Sequence, residues 1–137
     1  MIKEHFKEYT EKDNMLKELY LDLEVVNNKL YGISSAGFDE KVRSSAPQDN
    51  KLYYIAKRDE IQERIDILED QKKELFDVHQ KEIAKVSDER SRSILRCCFL
   101  LRQSSYEIAK LLNISINHFF KLKGKAIYEF KIKNDIK

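Results

Sequence analysis

The feature that most constrains the fold is a run of apolar residues at spacings of three and four. The positions are Leu16, Leu19, Leu23, Val26 and Leu30, and Lys, Glu and Asp fill many of the positions between them. These spacings place the apolar side chains on one stripe of an α-helix, which is typical of a helix that packs along another helix. We therefore predict a first helix over about residues 2–31. Its less regular early part, with Phe6 and Tyr9, is expected to fray.

A second apolar pattern predicts a helix over residues 51–86. Its positions are Ile61, Ile65, Leu68, Leu75, Val78, Ile83 and Val86. Asp49 or Asn50 is expected to cap its start. At 1.5 Å per residue such a helix is about 54 Å long, which is too long for a small globule unless a partner lies along it. We expect it to fold back on the first helix as a long antiparallel helical hairpin.

Composition favours an all-α fold and marks one loop. The 137 residues include only three Gly and one Pro, and 36% are charged, a mixture that is rich in helix formers. Two of the Gly and the Pro fall within residues 32–50, where Ser and Asn are also frequent. We predict a Ser-rich loop there, inside a first domain, residues 1–86, that serves oligomerisation or partner binding.

The pattern of residues 87–137 predicts a three-helix domain, which we expect to stay folded when residues 1–50 are removed. Ser87-Asp88-Glu89 supplies a cap for the first of these helices, and the second starts near Ser104. The turn Asn113-Ile114-Ser115 joins the second helix to a longer basic one, and this arrangement is a helix-turn-helix. Asn113 is expected to adopt the left-handed conformation that ends one helix, and Ser115 to cap the next.

The two parts of the chain differ in charge. Residues 1–84 hold 14 Lys and Arg against 19 Asp and Glu, a balance of −5, whereas residues 85–137 hold 12 against 5, a balance of +7. A basic segment that contains a helix-turn-helix is typical of nucleic-acid binding. We therefore expect double-stranded DNA to be the partner of the C-terminal domain.

The candidate DNA-binding residues lie mainly on the outer face of the last predicted helix. Asn117, His118 and Lys121 suit base edges, whereas the other basic side chains suit phosphates. Phe120 has two interpretations, because its ring either stacks on a thymine methyl group or fills the core. In chain order the candidates are Arg90, Arg92, Ser115, Asn117, His118, Phe120, Lys121, Lys123 and Lys125.

Other chemistry has little support in the sequence. The three His are far apart along the chain with no Cys or carboxylate at ligand spacing, so we expect no metal site. The sequence has no Gly-rich phosphate loop, and we expect neither a cofactor nor catalysis. Adjacent Cys97 and Cys98 make a poor disulfide. We expect one of them in the core and the other on its flank, in a reducing cytoplasm. No apolar run approaches the roughly 18 residues of a membrane span.

Residues 87–130 resemble the fourth conserved region of bacterial sigma factors, which pairs a Glu-Ile-Ala helix with an Ile-Ser-capped recognition helix. The stretch from about residue 16 to 130 is similar to phage-encoded relatives, the ArpU-like late transcription regulators. Residues 39–51 resemble the linker of those proteins, and residues 121–127 resemble the end of their recognition helix. The resemblance implies a helical hairpin before a sigma-like DNA-binding domain. It also implies that the protein activates phage or prophage late genes together with host RNA polymerase.

Two positions depart from the pattern of these regulators. The turn before the helix-turn-helix often reads Gly-Lys-Ser/Thr in such proteins, whereas here it is Arg102-Gln-Ser-Ser-Tyr106. Phe120 stands where a polar residue that faces DNA is common. The departures concern the details of base recognition rather than the fold.

Two other functions remain open from the sequence. One is a protein-interaction module that binds polymerase or another regulator without DNA. The other is a DNA-packaging factor, because small terminase subunits also join a helix-turn-helix to a coiled coil. The alternatives are a ring-like assembly for a packaging factor, and a monomer if polymerase covers the apolar surface of the hairpin. We otherwise expect a homodimer, because a two-helix hairpin leaves apolar side chains partly off the shared stripe. These side chains are Tyr53, Tyr54, Phe76 and Val78.

Overall fold

The computed structural model describes residues 2–39 and 46–136, with side chains for residues 2–32 and 50–136. The fold is all-α, as predicted, and the described residues contain no strand. Nor does any described helix have the length and apolar character needed to cross a membrane. The elements are α1 (Ile2–His5), α2 (Lys7–Asp39), α3 (Ala46–Ala84), α4 (Glu89–Leu95), a π-helical turn (Arg96–Leu100), α5 (Ser105–Leu112) and α6 (Ile116–Lys133).

Helix covers most of the segment that was predicted as a loop. Because α2 runs to Asp39 and α3 begins at Ala46, only residues 40–45 of the predicted loop 32–50 lie outside the described residues. Pro47 is the second residue of α3, in the first turn, where the backbone N–H that proline lacks has no helical partner. Asp49 and Asn50 lie within the helix, so the prediction that one of them caps it is wrong.

Contacts divide the chain into two compact units, one of residues 1–11 with 72–137 and the other of residues 12–71. This division differs from the boundary that we expected between residues 86 and 87. The early residues pack with the C-terminal helices, and the last part of α3 belongs to the same unit.

In the unit of residues 12–71, α2 and α3 pack along the predicted seam. Leu16, Leu19 and Val26 are buried with three α3 residues, and Leu23 and Leu30 lie at the edge of the cluster. The α3 residues are Ile61, Ile65 and Leu68. Residues 27–31 line a pocket with residues 51–58, so the late part of α2 lies beside the early part of α3, as in two antiparallel helices.

The second unit has two apolar clusters. The first cluster contains Phe6 and Tyr9, whose side chains are 1% and 2% exposed. They are buried together with Ile83, Val86, Leu95, Leu100, Ala126 and Phe130. The expectation that the early residues fray is therefore wrong. The two aromatic residues are only three positions apart, and two positions are too few to show a helical period of apolar residues.

The other cluster joins α4, α5 and α6 through Ile94, Ile108, Ala109 and Phe119. Ile108 and Phe119 have no exposed surface, and Ala109 is also buried. A small side chain at Ala109 leaves room for α5 and α6 to approach closely. This cluster fixes the orientation of α6, so the opposite side of that helix faces solvent.

The π-helical turn between α4 and α5 was not predicted. The Leu101 N–H donates to the Arg96 carbonyl at 2.9 Å, which spans five residues instead of the four of an α-helix. Cys97 and Cys98 lie in this turn, and both are half-buried against the second cluster. The expectation that one of them is a core residue is therefore wrong. Burial raises the pKa of Cys97 and raises that of Cys98 to about 11, so both thiols are protonated at neutral pH.

Candidate nucleic-acid interface

Local hydrogen bonds fix the corner between α5 and α6. Asn113 has φ 58° and ψ 47°, the left-handed conformation that was predicted to end α5. Two residues later the Ser115 hydroxyl accepts a hydrogen bond from the His118 N–H at 3.1 Å, which confirms the predicted cap of α6. At the other end of α5, the Ser104 hydroxyl accepts from the Glu107 N–H at 3.2 Å. α5 therefore begins and ends, and α6 begins, where the sequence indicated.

The solvent face of α6 carries most of the predicted site. Asn117, His118, Lys121 and Lys125 are all exposed. Tyr128 extends this face by about one turn and is 69% exposed. The sequence analysis missed Tyr128, although its spacing of seven residues from Lys121 places it on the same stripe of the helix. The face thus presents amide, imidazole, ammonium and phenol groups on one straight element.

Phe120 lies outside the core. Its side chain is 51% exposed, and its ring contacts the buried ring of Phe119 edge-on with centroids 5.6 Å apart. Of the two interpretations left open by the sequence, core filling does not apply. The exposed ring is available to an apolar group of a ligand.

Lys123 does not lie with the other lysines of α6. Its side chain is half-buried on the flank of the helix, close enough to Cys98 for its charge to oppose the rise in the pKa of that thiol. A step of two residues along an α-helix turns the side chain by about 200°, which explains why Lys121 and Lys123 point differently. From the sequence we expected Lys123 to hold a phosphate, although it was not counted on the outer face with Lys121 and Lys125.

A groove of about 910 Å³ runs between the start of α4 and the middle of α6. Three cationic side chains predicted to bind DNA line it, namely Arg90, Lys121 and Lys125. Phe120 and Tyr128 also line it. The groove therefore brings Arg90 together with the basic face of α6, although these residues are about 30 positions apart in the sequence.

Two carboxylates at this groove hold α4 in place. Glu129 Oε2 accepts hydrogen bonds from the backbone N–H of Ser87 at 2.9 Å and from its hydroxyl at 2.7 Å. Asp88 caps α4, as predicted, and accepts from the Ser91 N–H at 2.9 Å. These hydrogen bonds lower the pKa of Glu129 and of Asp88, so both groups are ionised at neutral pH. Each carboxylate thus accepts hydrogen bonds from a serine close to it, although three cationic side chains line the same groove.

Arg92 has a different environment from Arg90. Its Nη1 donates to the carbonyl oxygens of Val86 at 2.7 Å and of Ser87 at 2.9 Å. Arg92 is half-buried and closes the junction between α3 and α4, whereas Arg90 is exposed. The structure therefore does not bring Arg92 into the groove with Arg90.

Two of the three histidines lie together, contrary to the sequence analysis. His5 Nε2 and His79 Nδ1 both contact the carboxylate of Glu82, and the ligand atoms of these three residues all lie within 4.8 Å of one another. His118 is exposed on α6 and belongs to no such group among the described residues. The expectation that no carboxylate stands at ligand spacing from a histidine was wrong, because Glu82 follows His79 by three residues on α3 and the fold brings His5 to the same carboxylate.

Comparison with known proteins identifies the family. A family model described as "Protein of unknown function (DUF1492)" matches residues 46–131, more than half of the chain. The chain belongs to the DUF1492 family. The DUF1492 match begins at the first residue of α3 and ends within α6, so it includes the groove and the exposed face of α6. No curated protein and no solved structure matches the chain.

Proposed function

We propose that this DUF1492 protein is a sequence-specific DNA-binding transcription regulator. In this proposal α5 and α6 form a helix-turn-helix, and α6 enters the major groove as the recognition helix. The observation that carries the proposal is the exposed face of α6, where Asn117 and Lys121 lie beside the cation-lined groove. A rigid helix with polar and basic groups on its solvent face matches the width and the chemistry of the major groove.

Each exposed residue has a role that follows from its chemistry. Asn117, His118 and Lys121 contact base edges, since an Asn amide pairs with adenine and a Lys ammonium with guanine. Phe120 contacts a thymine methyl group, as its exposed ring allows. Lys125 contacts phosphates from α6.

Phosphate contacts also come from outside the solvent face of α6. Arg90 contacts a phosphate from across the groove. The capped start of α6 at Ser115 presents backbone N–H groups that suit a phosphate. Arg92 supports Arg90 by holding the start of α4, and Lys123 reaches a phosphate only along the flank of α6.

Salt dependence of binding is the first test. Neutralising about five phosphates predicts a slope of roughly −4 to −5 for log K against log salt concentration. The duplex is best selected from a random pool with the full-length protein, and affinity is then measured by fluorescence anisotropy at several salt concentrations. A protein that binds no duplex even at low salt contradicts the proposal.

The biological setting rests on the resemblance to ArpU-like regulators. That resemblance supports activation of phage or prophage late genes in the bacterial cytoplasm, with host RNA polymerase as a second partner. We expect the protein to increase transcription from a late promoter that contains the selected site. In vitro transcription with host polymerase measures this, and a promoter with a scrambled site serves as the control.

A second candidate function is a protein-interaction module. It is favoured by apolar side chains that stay exposed in the unit of residues 12–71, among them Leu21, Val25 and Tyr53.

Within the proposed DNA-binding function, we assign the same surface to a homodimer that pairs two recognition helices with two half-sites. Polymerase binding without DNA affinity would instead support the interaction module, and ring assembly in light scattering would support a packaging factor.

A further inference from the structure

Residues from two distant parts of the chain meet around Glu82. His5 Nε2 is 2.8 Å from Glu82 Oε1 and 2.9 Å from Oε2, and His79 Nδ1 is 2.6 Å from Oε1. His5 and Glu82 are 77 residues apart, whereas His79 and Glu82 are one turn apart on α3. Both imidazoles therefore direct a nitrogen at the same carboxylate oxygen. We refer to His5, His79 and Glu82 as the His–His–Glu cluster.

Aromatic rings surround the cluster and shield it from water. The His79 ring lies 4.5 Å from that of Phe6, and the His5 ring lies 5.7 Å from that of Phe130. His79 is only 5% exposed, and the His5 and Glu82 side chains are 25% and 20% exposed. Ion–ligand attraction is stronger in such a partly buried site than at an exposed surface. The remaining exposure leaves an entry path on the His5 side.

The donor set matches a particular class of metal ion. Two imidazoles and one carboxylate are a known ligand set for Zn²⁺, in which a fourth position takes water. The ligand atoms of the cluster all lie within 4.8 Å of one another. Tetrahedral coordination places ligand atoms about 3.3 Å apart, so the two imidazole nitrogens, at 2.8 and 2.6 Å from Glu82 Oε1, must each move away from that oxygen by about 0.5–0.7 Å.

We propose that the His–His–Glu cluster binds one Zn²⁺ ion through His5 Nε2, His79 Nδ1 and a Glu82 carboxylate oxygen. Each imidazole then presents a lone pair to the metal and carries its proton on the other ring nitrogen. The ion takes the place of the two imidazole protons between these nitrogens and Glu82. Water completes the coordination from the His5 side, where the cluster is exposed.

A metal in this position has a structural consequence for α6. It joins α1 to the end of α3, within the unit that also contains α6. Asn134 Nδ2, just after α6, donates to the backbone carbonyl of Glu82 at 3.1 Å and to that of Phe130 at 3.0 Å. Zn²⁺ bound to Glu82 therefore stabilises the segment that holds the end of α6. In this position the ion acts as a clamp between α1 and α3.

Histidine NMR on the wild-type chain tests the proposal without any substitution. The sequence has three His, so the six ring nitrogens can be assigned in long-range ¹H–¹⁵N spectra. One equivalent of ZnCl₂, added after treatment with a chelator, should shift His5 Nε2 and His79 Nδ1 and leave both nitrogens of His118 unchanged. Unchanged spectra, or shifts centred on His118, would overturn the proposal.

Affinity measurements with matched variants give the second test. Calorimetric titration with ZnCl₂ should show one site per chain, and His79→Ala or Glu82→Gln should weaken binding at least about tenfold. His118→Ala and the double variant Cys97→Ser with Cys98→Ser are the controls and should bind as the wild type does. Equal affinity in all variants, or loss in the cysteine variant, contradicts the assignment. If a cluster variant fails to fold, the NMR result on the wild type decides.

Thermal unfolding gives a third, independent measurement. ZnCl₂ at about 100 times its Kd should raise the Tm of the wild type by about 5–10 °C, because the ion binds the folded state only. MgCl₂ at the same concentration should leave Tm unchanged, since Mg²⁺ prefers oxygen ligands. An equal rise with both salts would indicate a nonspecific ionic effect and would contradict the proposal.

Discussion

The Tyr9 hydroxyl donates a hydrogen bond to the carbonyl oxygen of Leu100, which is 3.2 Å away and 91 residues further along the chain. Both residues are buried in the same apolar cluster. The bond satisfies a carbonyl at the end of the π-helical turn, and it connects that turn to the beginning of α2. The early residues therefore contribute polar as well as apolar contacts to the unit that carries α6.

Tyr9→Phe should lower the free energy of unfolding by about 1–3 kcal/mol, because it leaves a buried carbonyl without this donor. Urea unfolding followed by circular dichroism measures the change. Tyr106→Phe is the matched control, because Tyr106 is 75% exposed and should lose almost nothing. Equal effects of the two substitutions would contradict the role of the Tyr9 hydroxyl.

Phe6→Ala should lower the free energy of unfolding by about 3–5 kcal/mol, because the ring is fully buried and leaves a cavity. Phe120→Ala removes the same ring from an exposed position and should have little effect on stability. From the sequence we expected the C-terminal domain to stay folded when residues 1–50 are removed, whereas the burial of Phe6 predicts that the early residues stabilise it. Deleting residues 1–11 should accordingly destabilise the C-terminal helices, and a deletion variant with wild-type Tm would refute this prediction.

Asn117→Ala and Lys121→Ala should each weaken binding to the selected DNA by about 1–3 kcal/mol, the value of a good base contact. Both side chains are exposed, so the Tm should not change. Lys73→Ala is the control, since it removes an exposed lysine from α3. Anisotropy titrations compare the three variants. Unchanged affinity in both α6 variants would mean that another face binds DNA.

Leu21→Lys should dissociate the expected homodimer. Leu21 and Val25 are one turn apart on α2 and are 63% and 56% exposed, and a charge there opposes burial between two chains. Asn27→Lys adds the same charge to α2 at an exposed polar position and serves as the control. Sedimentation at micromolar concentration gives the oligomeric state. A wild-type monomer of 16.3 kDa without DNA rules the dimer out.

Acid should remove the contribution of the Asp88 cap. Hydrogen bonds from Ser91 lower the pKa of Asp88 below its ordinary value of 3.8, so the cap stabilises the folded state fully only above that pH. As the pH falls below 3.8, the unfolded state takes up the proton first and the contribution is lost. Asp88→Asn keeps a capping oxygen but does not titrate. The stability difference between wild type and this variant should therefore shrink below pH 3.8, and a constant difference would refute this.

Local features of the structure could be predicted from the sequence. The cap at Asp88, the left-handed Asn113 and the cap at Ser115 depend on residues within one turn, and all three are confirmed. The seam from Leu16 to Leu30 is confirmed for the same reason, because its period is visible in a single segment. The exposed α6 residues followed from the inward pattern of Phe119 and its partners.

Features that depend on distant contacts could not be predicted. The burial of Phe6 requires Val86 and Phe130, and the His–His–Glu cluster joins residues that are 77 positions apart. The π-helical turn depends on how the residues around Cys97 pack against α5 and α6, and a hydrophobic period does not indicate it. Val78 was predicted both on the apolar face of α3 and partly off the stripe shared with α2, and its exposure agrees with the second of these predictions.

The packing of Phe6 against Phe130 also sets the order of events during synthesis of the chain. At about 5–20 residues per second, Phe6 leaves the ribosome several seconds before Phe130 is added. Residues 12–71 have all their partners by then and can fold first. The unit that holds α6 is completed last, since its core needs both segments. A chain whose translation stops before Phe130 therefore never assembles the surface that we propose for DNA, and an incomplete product cannot occupy the site of the complete one.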